Sequence, residues 1–306
     1  MSHLIRIGTR GSKLALTQSR WVQARLQEAR SDIAAELVTI TTSGDRFLDQ
    51  PLSAIGGKGL FVKEIEEALS ARAIDCAVHS MKDVPDELAP GLVIAAVPAR
   101  EDPRDLLIAR GGNGLRALPN GARLGTSSLR RMALCRAARR DLDVIPLRGN
   151  VDTRLRKLDA GEVDAIVLAA AGLRRLGITR ADAAFLDPED FVPAIGQGAL
   201  AIETRNDSTA AILAALDDPS TRVAVTAERA FLHRVGGSCR TPLAAHATIH
   251  GESMTLRALI ASPDGSRVVR GERTGRPAQG AAMGVDLADD LLARGGAAIL
   301  QALGVN

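Results

Sequence analysis

The 306-residue sequence has no tyrosine, a single tryptophan and five phenylalanines. So few rings leave little on which bases stack, which argues against nucleic-acid binding. Cysteine is as sparse. Cys76, Cys135 and Cys239 are odd in number, far apart and free of any Cys-x-x-Cys spacing. That excludes a disulfide framework and a cysteine metal site, and points to a reducing compartment. Lysine is scarce too: of 39 basic residues, five are lysine and 34 arginine. A lone arginine therefore carries no information here, and only clusters do. Long apolar runs are missing, and a stretch such as 165–173 is too short to span a bilayer. Residues 1–11 enter an alternating segment with no apolar signal core. The chain is expected to be soluble and cytoplasmic, with no membrane or nucleic-acid partner, and to act as a monomer.

What is present is an ordinary globular composition, 46% hydrophobic and 25% charged. The net charge of +3 suits anionic partners without demanding them. The length allows two or three domains. Short apolar runs alternate with helical patterns, the signature of an α/β protein. Strands are predicted at 4–8, 37–42, 74–78 and 92–97. Helices are predicted from Ser12 or Ser19 to about Arg30, and over 60–71. Charged and turn residues at 99–105 mark a boundary. A second set follows, with strands near 123–125, 144–147 and 163–168 and helices starting near Leu129, Asp152 and Ala170. Residues 193–198 read as a hinge or crossover, and 217–220 as a further break before a smaller C-terminal unit. No internal repeat stands out.

Five segments carry chemistry. Thr9-Arg10-Gly11-Ser12 follows the first strand, where exposed amides and a planar cation attract an anion, although a plain helix start with Ser12 as cap fits equally. In 77–85, Val84 precedes a proline and is pushed extended, holding Lys82 and Asp83 at a strand's carboxyl end. A carboxylate there steadies a cation or moves protons; taken alone, a solvated loop aspartate is the plainer reading. In 124–135, Gly125, Thr126, Ser127 and Ser128 form a hydroxyl-rich helix start, with Arg130 and Arg131 in the first turn. Cations there oppose the helix dipole, so a ligand is the better reason for them. Arg148 and Arg154 attend the next junction, and Arg174 and Arg175 a third. Together they describe a concave basic cleft for a polycarboxylate or polyphosphate. The loop 234–243 sets Cys239 beside Arg240, which lowers a thiol's pKa and favours a nucleophile, with an inert loop or half-buried cysteine as the plain alternative. Cys76 and Cys135 read as inert.

Other signatures fail. The 56–59 glycine segment is no Walker loop, no Gly-x-Gly-x-x-Gly opens the first helix, and no nucleophile elbow occurs. His246 and His250 are four apart on a segment that reads as extended, without His-Glu-x-x-His, so no metal is expected.

The segments RIGTRGSKLAL, GGKGLFVKEIEEAL, HSMKDVP, GTSSLRR, LRGNVDTRL, VPAIGQGAL and GGSCRTPLAAHA, in this order, resemble the porphobilinogen deaminase (hydroxymethylbilane synthase) family over nearly the whole chain. The likeness weakens at 206–218 and after Gly251, and Ile195 departs from the family's hinge pattern. The resemblance implies a transferase that condenses four porphobilinogen molecules, with loss of ammonia, into a linear tetrapyrrole. It implies a dipyrromethane cofactor in thioether linkage to Cys239 and a catalytic Asp83. It further implies acetate- and propionate-binding residues Arg10, Arg130, Arg131, Arg148, Arg154 and Arg175, contacts from Ser12, Lys58, Lys82, Thr126, Ser127 and Ser128, and a ring from Phe61 near the growing chain. The implied architecture is α/β: two doubly wound, periplasmic-binding-protein-like domains facing a cleft, plus a smaller α+β domain. Their bounds are 1–98 with 198–217, 99–197, and 218–306. A bilobal binding protein for an anionic metabolite is the alternative, since it shares the lobes and basic strand ends but needs neither Cys239 nor Asp83. A cysteine-dependent acyl or amide transferase is a third, lacking an identifiable histidine base.

Overall fold

The structure, a computed structural model, describes residues 3–46, 62–112, 114–237 and 241–305. The chain divides into two compact units, Met1–Glu101 with Ala199–Arg222, and Asp102–Gly198 with Val223–Asn306. In chain order the first unit supplies β1 (His3–Thr9), β2 (Ile33–Thr39), β3 (Cys76–Ser80) and β4 (Leu92–Ala96). The second supplies β5 (Asp105–Ala109), β6 (Arg123–Gly125), β7 (Asp143–Ile145), β8 (Ala165–Ala169) and β9 (Ala183–Phe185). The chain returns to the first unit as β10 (Leu200–Arg205). It ends in the second with β11 (Leu243–His250), β12 (Ser253–Ala261) and β13 (Val268–Gly275).

The first sheet runs β2-β1-β3-β10-β4 and the second β7-β6-β8-β5-β9. In the first, β1 is parallel to β2 and β3, while β10 is antiparallel to β3 and β4. In the second, β6 is parallel to β7 and β8, while β5 is antiparallel to β8 and β9. Both sheets therefore carry one reversed strand in the fourth place. In the second unit it is the strand by which the chain enters, and in the first the strand by which it returns. The third sheet, β11-β12-β13, is an antiparallel meander.

Alternation along the strands explains why helices cover both faces of each five-stranded sheet. In the first unit Ile5 and Ile7 of β1 pack with Val22 and Leu26 of the helix Lys13–Ala29. Ala77 of β3 packs on the opposite face with Ile65 and Leu69 of the helix Lys63–Ser70. Strands β5 and β8, DLLIA and AIVLA, are apolar after their first residues because both their faces are buried. Their Leu107, Ala109, Ala165 and Val167 meet the helix Leu129–Ala138, and Leu106, Ile108, Ile166 and Leu168 meet Leu155, Leu158 and Leu173. This is the doubly wound arrangement expected. The helix Leu129–Ala138 also receives Ala244, Leu259 and Ala261 of the third sheet on its outer side. Gly265 allows that close approach: its φ is +70°, and an added Cβ would stand 2.5 Å from the Ala133 carbonyl oxygen.

One predicted strand is displaced. Apolar residues clustered at 37–42, yet β2 spans Ile33–Thr39, because pairing with β1 begins at His3↔Ile33 and Ile33 is buried in the core. The helix cap is Ser12, not Ser19: the Ser12 Oγ accepts the Ala15 N–H at 3.3 Å.

Candidate active site

In each unit the candidate residues sit where parallel strands end. In the first, β1 runs out into Arg10 and Ser12, and its neighbour β3 runs out into a single 3₁₀ turn, Met81–Asp83. The Met81 N–H donates to the Ala199 carbonyl at 3.0 Å, which fixes the start of that turn. Lys82 is half-buried and Asp83 is exposed. Pro85 holds Val84 extended, at φ −74° and ψ 128°, as its position before a proline requires. Arg10, Ser12, Lys82 and Asp83 thus share one sheet edge.

In the second unit, β6, β7 and β8 end side by side. After β6, the Thr126 hydroxyl accepts the Ser128 N–H at 3.2 Å, and the Ser127 hydroxyl donates to the Leu147 carbonyl at 2.9 Å, tying the first loop to the second. Ser128 caps the helix Leu129–Ala138 by accepting the Arg131 N–H at 3.4 Å. After β7, Gly149 turns the chain at φ +111°, where a Cβ would lie 2.6 Å from the Thr153 side chain. Its carbonyl accepts from Arg154 Nε at 2.8 Å. After β8, Arg175 Nη2 donates to the Gly198 carbonyl at 2.7 Å.

Burial and the like charges of Arg131 and Arg148 push Arg154 down to about 10. It keeps its proton at neutral pH, and three guanidiniums therefore repel one another across the β6, β7 and following-helix junctions. Asp105 answers the charge of Arg131.

Arg130 and Arg131 are placed differently from a surface pair. Both are buried, at 4% and 5% exposure. Arg130 donates to the Val192 carbonyl at 2.8 Å and to Asp105 at 2.7 Å. Arg131 donates to the Val167 carbonyl at 2.9 Å and to the other Asp105 oxygen at 2.8 Å. Gln197 Nε2 donates to Asp105 at 2.8 Å and to the Pro103 carbonyl at 2.7 Å. Sequence reasoning missed Asp105 and Gln197; the one signal was a carboxylate opening an otherwise apolar strand. It also missed Glu228, fully buried, whose oxygens accept the Gly196 and Ala247 N–H groups at 2.7 and 2.9 Å. That residue could have been found, since it lies on the apolar stripe Ala224, Phe231 and Val235 of the helix Pro219–Val235.

Cys239, Lys58 and Phe61 lie outside the described residues. Cys76 and Cys135 are buried, and burial pushes both thiols up to about 12, so neither is a thiolate at neutral pH. Among the described residues no cluster of histidine, cysteine and acidic side chains is fit to hold a metal ion, and no helix is long and apolar enough to cross a membrane.

Doubly wound sheets whose carboxyl edges carry guanidiniums, hydroxyls and helix starts make this an α/β protein with its candidate site at the strand ends. Two family profiles match it: "Porphobilinogen deaminase, dipyromethane cofactor binding domain" over residues 5–212, and "Porphobilinogen deaminase, C-terminal domain" over 223–293. The chain belongs to the porphobilinogen deaminase family; it is a transferase, and its cofactor is dipyrromethane. It is 52% identical to the porphobilinogen deaminase of Syntrophotalea carbinolica over 306 residues, covering 99% of this chain and 97% of that one. It is 52% identical to that of a Roseiflexus species over 302 residues, covering 98% and 99%. Among solved structures it is similar to the methionine binding protein MetQ, at 15% identity and a TM-score of 0.45, covering 72% of this chain and 92% of that one.

The residues present fit such a cofactor. Its acetate and propionate groups call for fixed, planar donors, and the second unit offers Arg154 close to Arg131 and Arg148, together with a buried Arg130 whose Nε has no hydrogen-bond partner among the described residues.

Proposed function

We propose that the protein joins four porphobilinogen molecules head to tail, releasing four molecules of ammonia and, with one water, hydroxymethylbilane. It does so as a cytoplasmic monomer, bound to neither nucleic acid nor membrane. The full-length agreement with the family carries this reading. Residues 1–98 with 198–217, 99–197, and 218–306 form three functional domains. The dipyrromethane is held by a thioether to Cys239, the one cysteine other than two buried, protonated thiols. When bound, it anchors the growing product and supplies the pyrrole carbon that is extended.

The chain's own residues do the rest. Arg10 and Ser12 in the first unit, and Arg130, Arg131, Arg148, Arg154 and Arg175 in the second, take up ring carboxylates, because guanidinium forks match carboxylates in a way ammonium groups do not. Lys58, Lys82 and the hydroxyls of Thr126, Ser127 and Ser128 complete the contacts, and Phe61 lines the growing chain. Ser127 and Ser128 already use one hydrogen-bonding position in local turns and keep others for a ligand. The exposed Asp83 carboxylate accepts a substrate pyrrole N–H and steadies the positive charge that develops as ammonia leaves. Removing one such electrostatic group costs on the order of 10²–10³ in rate.

Asp83→Ala tests this assignment. The variant is expected to keep its bound pyrroles, seen as mass above that of the bare chain, while bilane formation falls by about 10²–10³-fold. Turnover within about threefold of wild type would remove Asp83 from the chemistry.

A further inference from the structure

The buried group around Asp105 is unbalanced in charge. Two guanidiniums, those of Arg130 and Arg131, close on one carboxylate that has no exposed surface. Each takes a different oxygen of it, and Gln197 adds a neutral donor to the oxygen Arg131 uses. Other acceptors among the described residues are carbonyls, of Val167 and Val192, which bring no countercharge. The charge of Arg154, close enough to Arg131 for the two to repel, has the same sign. Arg130 also keeps a buried Nε with no acceptor among the described residues. A buried cation without a countercharge is costly, and a buried donor without an acceptor adds to that cost. The arrangement is half of a recognition site: the fold supplies one carboxylate for two forks and leaves room in the balance for another.

We infer that Asp105 is a positioning residue for oligopyrrole binding, holding the forks of Arg130 and Arg131 in fixed orientation and cancelling one of their two charges, so that a ring carboxylate supplies the second. This rests on the function proposed above. Gln197 takes part as the second anchor of the same carboxylate, which gives the 193–198 turn a task beyond joining elements. An asparagine at 105 offers one acceptor and turns a donor toward donors, so at least one guanidinium loses its orientation. The acid is not expected to touch substrate. It acts through the arginines.

The test is a double-mutant cycle on full-length protein with Asp105→Asn, Arg131→Gln and the pair. Each variant is loaded with porphobilinogen and read by intact mass for bound pyrroles, by KM and kcat separately, and by thermal midpoint. Positioning predicts that Asp105→Asn raises KM by about tenfold or more, with a smaller change in kcat, and slows loading. It also predicts that in the Arg131→Gln background the same change adds about threefold or less, because the fork it oriented is gone. A lowered thermal midpoint with wild-type KM and loading would make Asp105 structural only and overturn the inference, as would fully multiplicative effects in the pair. Should Asp105→Asn fail to fold, Asp105→Glu keeps the charge but shifts the fork by one methylene. Raised KM in that folded variant supports positioning, and unchanged KM overturns it. If wild type itself carries no pyrroles and forms no bilane, the functional reading has failed instead, a result visible before any variant is made.

Discussion

At the scale of single residues, Asp105 has a consequence that pH reveals. Burial on its own raises the pKa of a carboxyl group, but the charges of Arg130 and Arg131, with the Gln197 bond, outweigh it and hold Asp105 well below the ordinary range. Burial pulls Arg130 down while Asp105 pulls it up, and a guanidinium remains charged in a protein interior, so the group's response to acid is carried by Asp105. Its folded value is depressed below an unfolded value of about 3.9. The stabilisation is therefore complete above the unfolded value and is lost as pH falls through and below it. Asp105→Asn is expected to lower stability at neutral pH by about 3–5 kcal/mol, the usual cost of breaking a buried ion pair from one side. Its stability is also expected to fall less steeply than wild type's between about pH 5 and pH 3. Denaturant midpoints across that range measure both, and parallel curves would contradict the assignment. The arginines were legible in sequence as cations in the wrong end of a helix. Their partner was not, because it stands 25 residues upstream of Arg130 on another element.

At the scale of elements, the helix Leu129–Ala138 links packing to the site. It is capped by Ser128, it carries Arg130 and Arg131, and it is covered on two sides, by β5 and β8 and by the third sheet. Coverage on two sides explains why its start was readable from turn residues while its role was not: its apolar residues do not fall on one stripe, and no periodicity reports a helix buried all round. The helix starts after β6 and β7 were readable for the opposite reason, since short apolar runs there give way to Gly, Ser and Arg. Edge strand β2 was misplaced because its register is dictated by β1 across the sheet, which local hydrophobicity does not encode. Gly265→Ala tests the outer contact of the helix. The substitution places a Cβ at a left-handed φ and against the Ala133 carbonyl, and it is expected to destabilise by more than about 1 kcal/mol. A denaturant midpoint unchanged from wild type would show that the turn does not seat on the helix.

At the scale of the whole molecule, two sheets share a strand order without sharing sequence. The common plan lies in which strand is reversed, β10 in one unit and β5 in the other, and that is a property of connections that no residue-level repeat records. Family likeness was legible because seven short segments stand in one order, four of them running off the ends of β1, β3, β6 and β7. The division of labour follows from the same plan. Each five-stranded sheet presents its parallel strand ends as a platform, one bearing Asp83 and Arg10, the other the arginine cluster. The helix Pro219–Val235 and strand β11, joined through Glu228, lead into and out of the segment that carries Cys239.

The measurement closest to the centre of this account is the intact mass of the purified protein, followed by peptide mapping, on wild type and on Cys239→Ser. Wild type is expected to exceed its chain mass by two linked pyrroles, with the excess on the peptide holding position 239, and Cys239→Ser to have the bare chain mass. A wild-type protein that forms bilane at the bare chain mass, or a Cys239→Ser protein that still carries the pyrroles, would contradict it.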